Sequence, residues 1–394
     1  MSPPPVRVAI IGLSKAATTS WASDAHLPYL LIDAGRERFQ IVALCNSSVF
    51  KAEAAIEAYN LDPTTKAYGS PDDLAADPDV DLVICSTRVD THYAAVLPSL
   101  EAGKDIYIEW PIASNMQDIQ RLVETARKSG SGTLVGVQRR FAPSVLKIKE
   151  MVDDGAIGKL LNVNVTAHSG ALGSGVWPRG LKYFAERSVG GNLITILVGH
   201  LMDVVESTVG TYIPGTVHAH TQLQSPNVAI MDPSTGNIVE TIRSNVPDLM
   251  SLHGFVQSAR TNHEPVSLTL HYQQGFPFPG TPALDWILTG TKGKIRLVDA
   301  TGVSFYGGPG PDGVNIQLWK LGDETAETVN WAYSELQLEV PPTARAMQTL
   351  LYSYADAKRG VGKDDVKNSS DWPDLKSGAA RALEVEEWLS SFKG

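Results

Sequence analysis

Cysteine is nearly absent: Cys45 and Cys85 are the only two among 394 residues. Two thiols, each inside an apolar run, exclude a disulfide scaffold and a thiolate zinc site, and they fit a reducing compartment. Long hydrophobic runs are missing too, and no stretch approaches the ~20 apolar residues of a membrane-spanning helix. The start, Met1-Ser-Pro-Pro-Pro-Val-Arg, lacks the charged-then-apolar layout of a secretory signal, so a cytoplasmic location is expected. Positive charge is scarce: 33 Lys and Arg against 43 Asp and Glu leave a net charge of −10. That balance argues against a direct grip on nucleic acid, which needs clustered cations to displace phosphate counterions. What the chain does have is a 43% apolar fraction, enough at this length for the cores of about two domains.

Val6–Ile11 (VRVAII) is a continuous apolar run ending at Gly12, the pattern of a strand buried on both faces. Phe39–Cys45, residues 81–85, Asp105–Glu109 and residues 133–137 repeat it, and 51–59, 92–102 and 115–129 between them read as helices. Strand and helix in alternation require right-handed parallel crossovers, which predicts an α/β, doubly wound, Rossmann-type parallel sheet. The rhythm changes after about residue 140. Segments 144–154, 191–205, 343–359 and 377–392 read as helices. Segments 160–167, 217–224, 266–272, 286–289 and 294–298 read as strands, with Gly290-Thr-Lys-Gly293 as the turn between the last two. We therefore expect a dinucleotide-binding Rossmann domain over 1–137. An α+β domain with one open, largely antiparallel sheet is expected over 138–394.

A strand ending in glycine and opening into a helix aims backbone N–H groups and a positive dipole at whatever sits there, and phosphate fits that chemistry. Gly12, Ser14 and Lys15 are the cofactor-binding candidates in this loop, with Thr18 and Thr19 as further polar groups. The full G-x-G-x-x-G fingerprint is missing, and a lone glycine after a strand is also an ordinary turn. At the end of the second strand, a carboxylate would select the free adenosine ribose of NAD. Here the chain reads Cys45-Asn46-Ser47-Ser48 with Lys51 following, which tilts the expectation from NAD towards the 2′-phosphate of NADP. Ser47, Ser48 and Lys51 are the candidates at this end, and helix capping is their plainer reading.

Five stretches carry a family resemblance: Gly12 with His26-Leu-Pro28; Ser86 to His92; Leu100 to Pro111; Val135-Gly-Val-Gln-Arg-Arg140; and Trp286 to Gly293. In this order they resemble the Gfo/Idh/MocA (glucose–fructose oxidoreductase/inositol dehydrogenase) family. The resemblance implies hydride transfer with NAD(P) on a small-molecule substrate. It places Thr87, Arg88, His92, Glu109 and Trp110 beside the cofactor, and implies a homodimer formed through the C-terminal sheet. The chain departs from the family where the chemistry sits. The usual Glu-Lys-Pro reads Glu109-Trp110-Pro111. In the second motif, Gly190-Gly191 through His200, Ile196 holds the place of the usual aspartate and only His200 is kept. These departures, with Trp21, Lys182-Tyr183 and Gly199-His200-Leu-Met-Asp203, resemble the fungal galactose/lactose metabolism regulatory protein branch. Members of that branch bind a dinucleotide yet act by holding a transcriptional activator, which implies an activator protein as partner and a nuclear location as the alternative.

A proton carrier needs a tunable pKa and reach to the reacting hydroxyl. His200 is the first catalytic candidate, its plainer reading being a core histidine. Tyr183 is the second, because the ammonium of Lys182 next to it would lower the phenol's pKa. Trp110, Gln138, Arg139, Trp177 and Arg179 are the substrate-binding candidates, Arg179 suiting a carboxylate or phosphate. His218 and His220 share one strand face but lack a third ligand, so no metal site is expected. Three readings stand: an NAD(P)-dependent oxidoreductase acting on a hydroxyl/carbonyl pair, a dinucleotide-binding regulator, and a redox-neutral isomerase or cyclase of secondary metabolism.

Overall fold

The computed structural model describes residues 3–15, 20–170, 175–257, 264–361 and 372–392. The chain forms two compact units: Met1–Gln138 with Ser188–Gly191 and Ser334–Ala382, and Arg139–Arg187 with Asn192–Tyr333 and Leu383–Gly394. No helix among the described residues is long and apolar enough to cross a membrane.

In the first unit six strands form one parallel sheet: β1 (Val6–Ile11), β2 (Phe39–Cys45), β3 (Lys66–Tyr68), β4 (Leu82–Cys85), β5 (Asp105–Glu109) and β6 (Thr133–Gly136), in the order β3-β2-β1-β4-β5-β6. The central strands show no alternation because helices cover both faces: Val8, Ala9 and Ile10, and all of Leu82–Cys85, have no exposed surface. Strand order reverses between β1 and β4, and sheets of this kind bind ligands in the crevice outside the carboxyl ends at that point. The helix Met116–Ser129 shows how local sequence sets a boundary. Asn115 accepts from the Asp118 N–H at 2.9 Å to cap its start, and Gly130, at φ 75°, ends it.

Residues 334–382, placed by sequence with the second domain, pack with the first unit. Their helix Pro342–Lys358 covers an aromatic wall of Tyr29, Phe39 and Tyr107. The Tyr352 hydroxyl donates to the Tyr29 carbonyl at 2.7 Å, and Tyr354 donates to Asp105 at 2.7 Å. Tyr107 donates to the Met347 sulfur at 2.9 Å, and the Arg38 guanidinium lies 4.7 Å over the Tyr352 ring.

The second unit carries the expected sheet, mixed and mostly antiparallel. Its nine strands are β7 (Leu160–His168), β9 (Thr211–Tyr212), β10 (His218–Gln222), β13 (Leu249–Gln257), β14 (Val266–Gln273), β15 (Leu284–Gly290), β16 (Gly293–Asp299), β17 (Val314–Lys320) and β18 (Glu327–Val329). They run in the order β10-β13-β14-β7-β15-β16-β17-β18, with β9 on β13, and β14–β7 is a parallel pair. The expectation of one sheet needs correction: β8 (Val176–Pro178), β11 (Asn227–Met231) and β12 (Ile238–Arg243) form a separate three-stranded sheet. Five of the six residues of β12 are exposed, so no buried face left a periodic signal. The helix expected over 191–205 is a π-helical segment, Ile194–Val198, running into the α-helix Gly199–Val209. A second π-helical segment, Ala22–His26, precedes the helix Leu27–Leu31 in the first unit. Such widened turns re-aim the side chains around them and recur at functional sites.

Candidate functional site

The first unit builds its crevice from strand ends. Gly12, at φ 100°, ends β1, and a Cβ on it would sit 2.4 Å from the Ser86 carbonyl oxygen, so only glycine lets the loops after β1 and β4 approach this closely. The Ser14 carbonyl accepts from the Ser20 hydroxyl at 3.0 Å, and Lys15 is exposed. Thr18 and Thr19 lie outside the described residues. After β2, the Asn46 amide donates to the Leu13 carbonyl at 2.9 Å and to the Lys51 carbonyl at 3.2 Å, tying the two loops together. The Ser48 hydroxyl accepts from the Lys51 N–H as a helix cap, and the Lys51 ammonium donates to the Ser47 hydroxyl at 3.0 Å. The donors at this strand end are therefore an ammonium and two hydroxyls, and the Asp73 carboxylate lies near enough to act on the Cys45 thiol. Polar donors at this strand end fit the adenosine ribose of a dinucleotide.

After β4, Thr87 accepts from Thr91 at 2.8 Å, and Arg88 makes two 2.6 Å bonds to Asp90. His92 is buried, with Nδ1 2.9 Å from the Pro111 carbonyl and Nε2 3.0 Å from the Thr87 carbonyl. Burial lowers its pKa despite those carbonyls, and both ring nitrogens are engaged by main chain. Glu109, at the end of β5, forms the densest cluster. Its Oε1 lies 2.5 Å from His26 Nε2 and accepts from the Trp21 indole at 2.9 Å and the Tyr107 hydroxyl at 3.3 Å. Behind it, His26 Nδ1 meets the Tyr29 hydroxyl at 2.9 Å. Sequence reasoning assigned Trp21 and His26 no role. Their only signal was their place in a resembling motif, because their partner lies more than 80 residues away. Trp110, next along the strand, is 5% exposed.

In the second unit His200 and Arg139 are both buried, at 6% exposure each. The pKa of His200 is held well below the usual histidine range, first by burial and then by the Arg139 guanidinium. Its Nδ1 has no hydrogen-bond partner among the described residues, and the same is true of Arg139 Nε. Arg139 Nη1 donates to the Val303 carbonyl at 3.1 Å. Gln138, the last residue of the first unit, is buried with its Oε1 unpartnered.

The remaining candidates form a different group. Trp177 is buried in an apolar cluster with Phe184, Leu193, Val228 and Ile230, against which Tyr183 and Ile196 pack. Ile196, partly buried, thus adds an apolar side chain at the edge of this cluster. The Tyr183 ring meets Phe184 edge-on at 4.7 Å, while the Lys182 ammonium is held by Glu240 at 2.7 and 2.9 Å on the surface. Arg179, more than half exposed, pairs with Asp232 at 3.3 Å. His218 stacks on His253 at 5.1 Å on the open sheet face, and no metal-binding group of three or more ligands occurs among the described residues.

The profile of an oxidoreductase family with an NAD-binding Rossmann fold matches residues 6–137, and that of the Gal80p C-terminal domain matches 143–299. A dehydrogenase, aclE, of Aspergillus oryzae is 33% identical over 299 residues, covering 74% of this chain and 76% of that protein. The chain belongs to the Gfo/Idh/MocA family. Within it, the galactose/lactose metabolism regulatory protein GAL80 of Kluyveromyces lactis is 27% identical over 74% of this chain, which spans 64% of that regulator's length. Inositol 2-dehydrogenase of Salmonella typhimurium is 27% identical over 68% of this chain and 76% of its own. Among solved structures, a super-repressor mutant of Gal80p from Saccharomyces cerevisiae aligns with a TM-score of 0.82 at 22% identity, covering 98% of this chain and 96% of that one. Levoglucosan dehydrogenase in complex with NADH and levoglucosan aligns at 0.72 and 16%, over 98% and 96%. Both show the shared fold of this family.

Proposed function

We propose that this Gfo/Idh/MocA member is an NAD(P)-dependent oxidoreductase that converts a hydroxyl to a carbonyl, or the reverse, on a small molecule. The observation that carries the reading is His200, a buried imidazole kept neutral and left with an unpartnered nitrogen. A bound nicotinamide would supply the hydride acceptor or donor. His200 would take the hydroxyl proton in the oxidation direction, as a neutral base. Gly12, Ser14 and Lys15 would hold the pyrophosphate, and Thr87, Arg88, Glu109 and Trp110 would border the nicotinamide side. His92 would position that loop through its two carbonyl contacts. Tyr183 with Lys182 is the second-ranked proton carrier, and Trp177 and Arg179 the more distant substrate candidates, each already engaged by a neighbour.

NADP is the cofactor this reading prefers over NAD, supported by Lys51 and Ser47 and by the lack of a carboxylate in the turn Asn46-Ser47-Ser48 after β2. A titration with NADPH and NADH, following reduced-nicotinamide fluorescence, tests it. NADPH should bind more tightly, and Lys51→Ala should erase the difference. Failure of every form to bind would end the oxidoreductase reading.

A second reading, a dinucleotide-binding regulator that holds an activator protein, is favoured by Trp110 and Ile196, which cannot carry protons at the positions of the family's lysine and aspartate. It expects cofactor binding without turnover across a panel of sugars, polyols and hydroxy acids. In either reading we propose a homodimer paired through the open face of the large sheet, where Leu161 and Phe255 are exposed.

A further inference from the structure

The first unit holds a partly buried carboxylate with no cation beside it. Glu109 Oε1 takes three donors: the Trp21 indole at 2.9 Å, His26 Nε2 at 2.5 Å and the Tyr107 hydroxyl at 3.3 Å. Oε2 makes no hydrogen bond among the described residues. It lies over Gly136, at the end of β6, where a Cβ would come 2.5 Å from it. The Glu109 side chain stays 12% exposed. Indole and phenol are neutral donors, and the hydrogen bonds around His26 close with a neutral ring as well. Burial, and then the charge of Glu109, holds the Tyr29 hydroxyl protonated, and its one partner is His26 Nδ1 at 2.9 Å. Nδ1 therefore accepts from Tyr29, and the single ring proton sits on Nε2, facing Glu109. A second proton on the ring would leave the Tyr29 hydroxyl hydrogen without an acceptor in the core. No Lys or Arg lies within ion-pair distance of Glu109 among the described residues, and the next residue is Trp110. Charge retained in such a setting calls for a positive partner from outside the chain.

Topology says which end of a dinucleotide would meet it. In a doubly wound sheet the loop after β1 takes the pyrophosphate and the end of β2 the adenosine ribose, so the nicotinamide half extends over the strands on the other side of β1. Those strands are β4 and β5. Cys85, the last residue of β4, pairs with Ile108, so Glu109 stands one residue beyond that end. The oxidised nicotinamide ring carries a positive charge, and the reduced ring is neutral.

We propose that Glu109 sets the oxidation state of the cofactor that this chain prefers, its uncompensated carboxylate favouring the positively charged oxidised nicotinamide over the neutral reduced one. His26 is a positioning residue, holding Oε1 without cancelling its charge. The proposal rests on the oxidoreductase reading for the presence of a dinucleotide in this crevice. It adds a direction: the chain is built to load the oxidised form and release the reduced one, as alcohol oxidation requires.

Isothermal titration of the full chain with NADP+ and NADPH, and with NAD+ and NADH, gives the ratio of oxidised to reduced affinity for each couple. In the unaltered chain the oxidised member should bind more tightly. Glu109→Gln, which keeps the shape and removes the charge, should lower that ratio by about tenfold. Adenosine 2′,5′-bisphosphate and ADP, which lack nicotinamide, should bind the unaltered chain and the variant alike, and their binding shows that the variant is folded. His26→Gln should leave the ratio unchanged. Tighter binding of the reduced member by the unaltered chain, a ratio indifferent to Glu109→Gln, or a ratio that rises in His26→Gln because the imidazole had been cancelling the carboxylate would each overturn the proposal. Failure of every dinucleotide to bind would sink the oxidoreductase reading itself, and the proposal with it.

Discussion

His200 is neutral near pH 7 because burial and then Arg139 both disfavour its charged form. As the proton acceptor it should contribute the ~10²–10⁴-fold typical of positioned acid–base groups. His200→Ala is expected to lose turnover by that factor in a spectrophotometric assay while leaving NADPH affinity unchanged; normal turnover would remove His200 from the chemistry. The acid limb of kcat/KM for alcohol oxidation should fall below pH ~6.5, the ordinary histidine value, and Arg139→Met should move it upward. The same shift is a statement about stability. In the unfolded chain His200 and His92 take up protons near pH ~6.5, whereas their folded pKa values are lowered, so the unfolded state binds more protons below that point. Stability is therefore fully present above pH ~6.5 and is lost as the pH falls towards the folded values. Urea midpoints at pH 7.5 and 5.5 measure the loss, and His200→Gln should reduce it; an unchanged loss would place its source elsewhere.

At the scale of the element, the two π-helical segments bear on the two histidines that matter: Ala22–His26 ends on His26, and Ile194–Val198 runs straight into the helix that carries His200. His26 matters through Glu109. Removing it leaves that carboxylate short of a donor, at a cost of about 1–3 kcal/mol. His26→Ala should therefore destabilise the chain more than the exposed cap change Ser48→Ala, of about 1 kcal/mol, as chemical denaturation would show. Five of the six strands of the parallel sheet were legible as short continuous apolar runs alternating with helical segments, whereas β3, three residues long with none of them buried, left no such signal. β2 and β5 appear at the expected residues, whereas β13 was missed. Its burial alternates cleanly, but His253 and Gly254 interrupt the apolar sequence; a Cβ on Gly254 would meet the Val217 side chain at 3.0 Å, a tight contact. The Glu109 cluster was illegible for another reason. It joins Trp21, His26 and Tyr107 across the fold, and sequence spacing carries no trace of such contacts.

For the whole molecule, the proposed homodimer makes a direct expectation: light scattering should return twice the mass of the chain. Phe255→Lys, on the exposed sheet face, should return a single chain with the same circular dichroism. A dimer that survives this change would move the interface elsewhere. The division of the chain into units also sets an order of events during synthesis. The aromatic wall of Tyr29, Phe39 and Tyr107 is made in the first 107 residues, but Tyr352, Tyr354 and Met347, which close over it, leave the ribosome only near the end. The nascent first half must wait through some 200 residues of second unit with that wall uncovered. A fragment ending at residue 137 should accordingly be insoluble, and adding 334–382 in trans, as a separate peptide, should recover it.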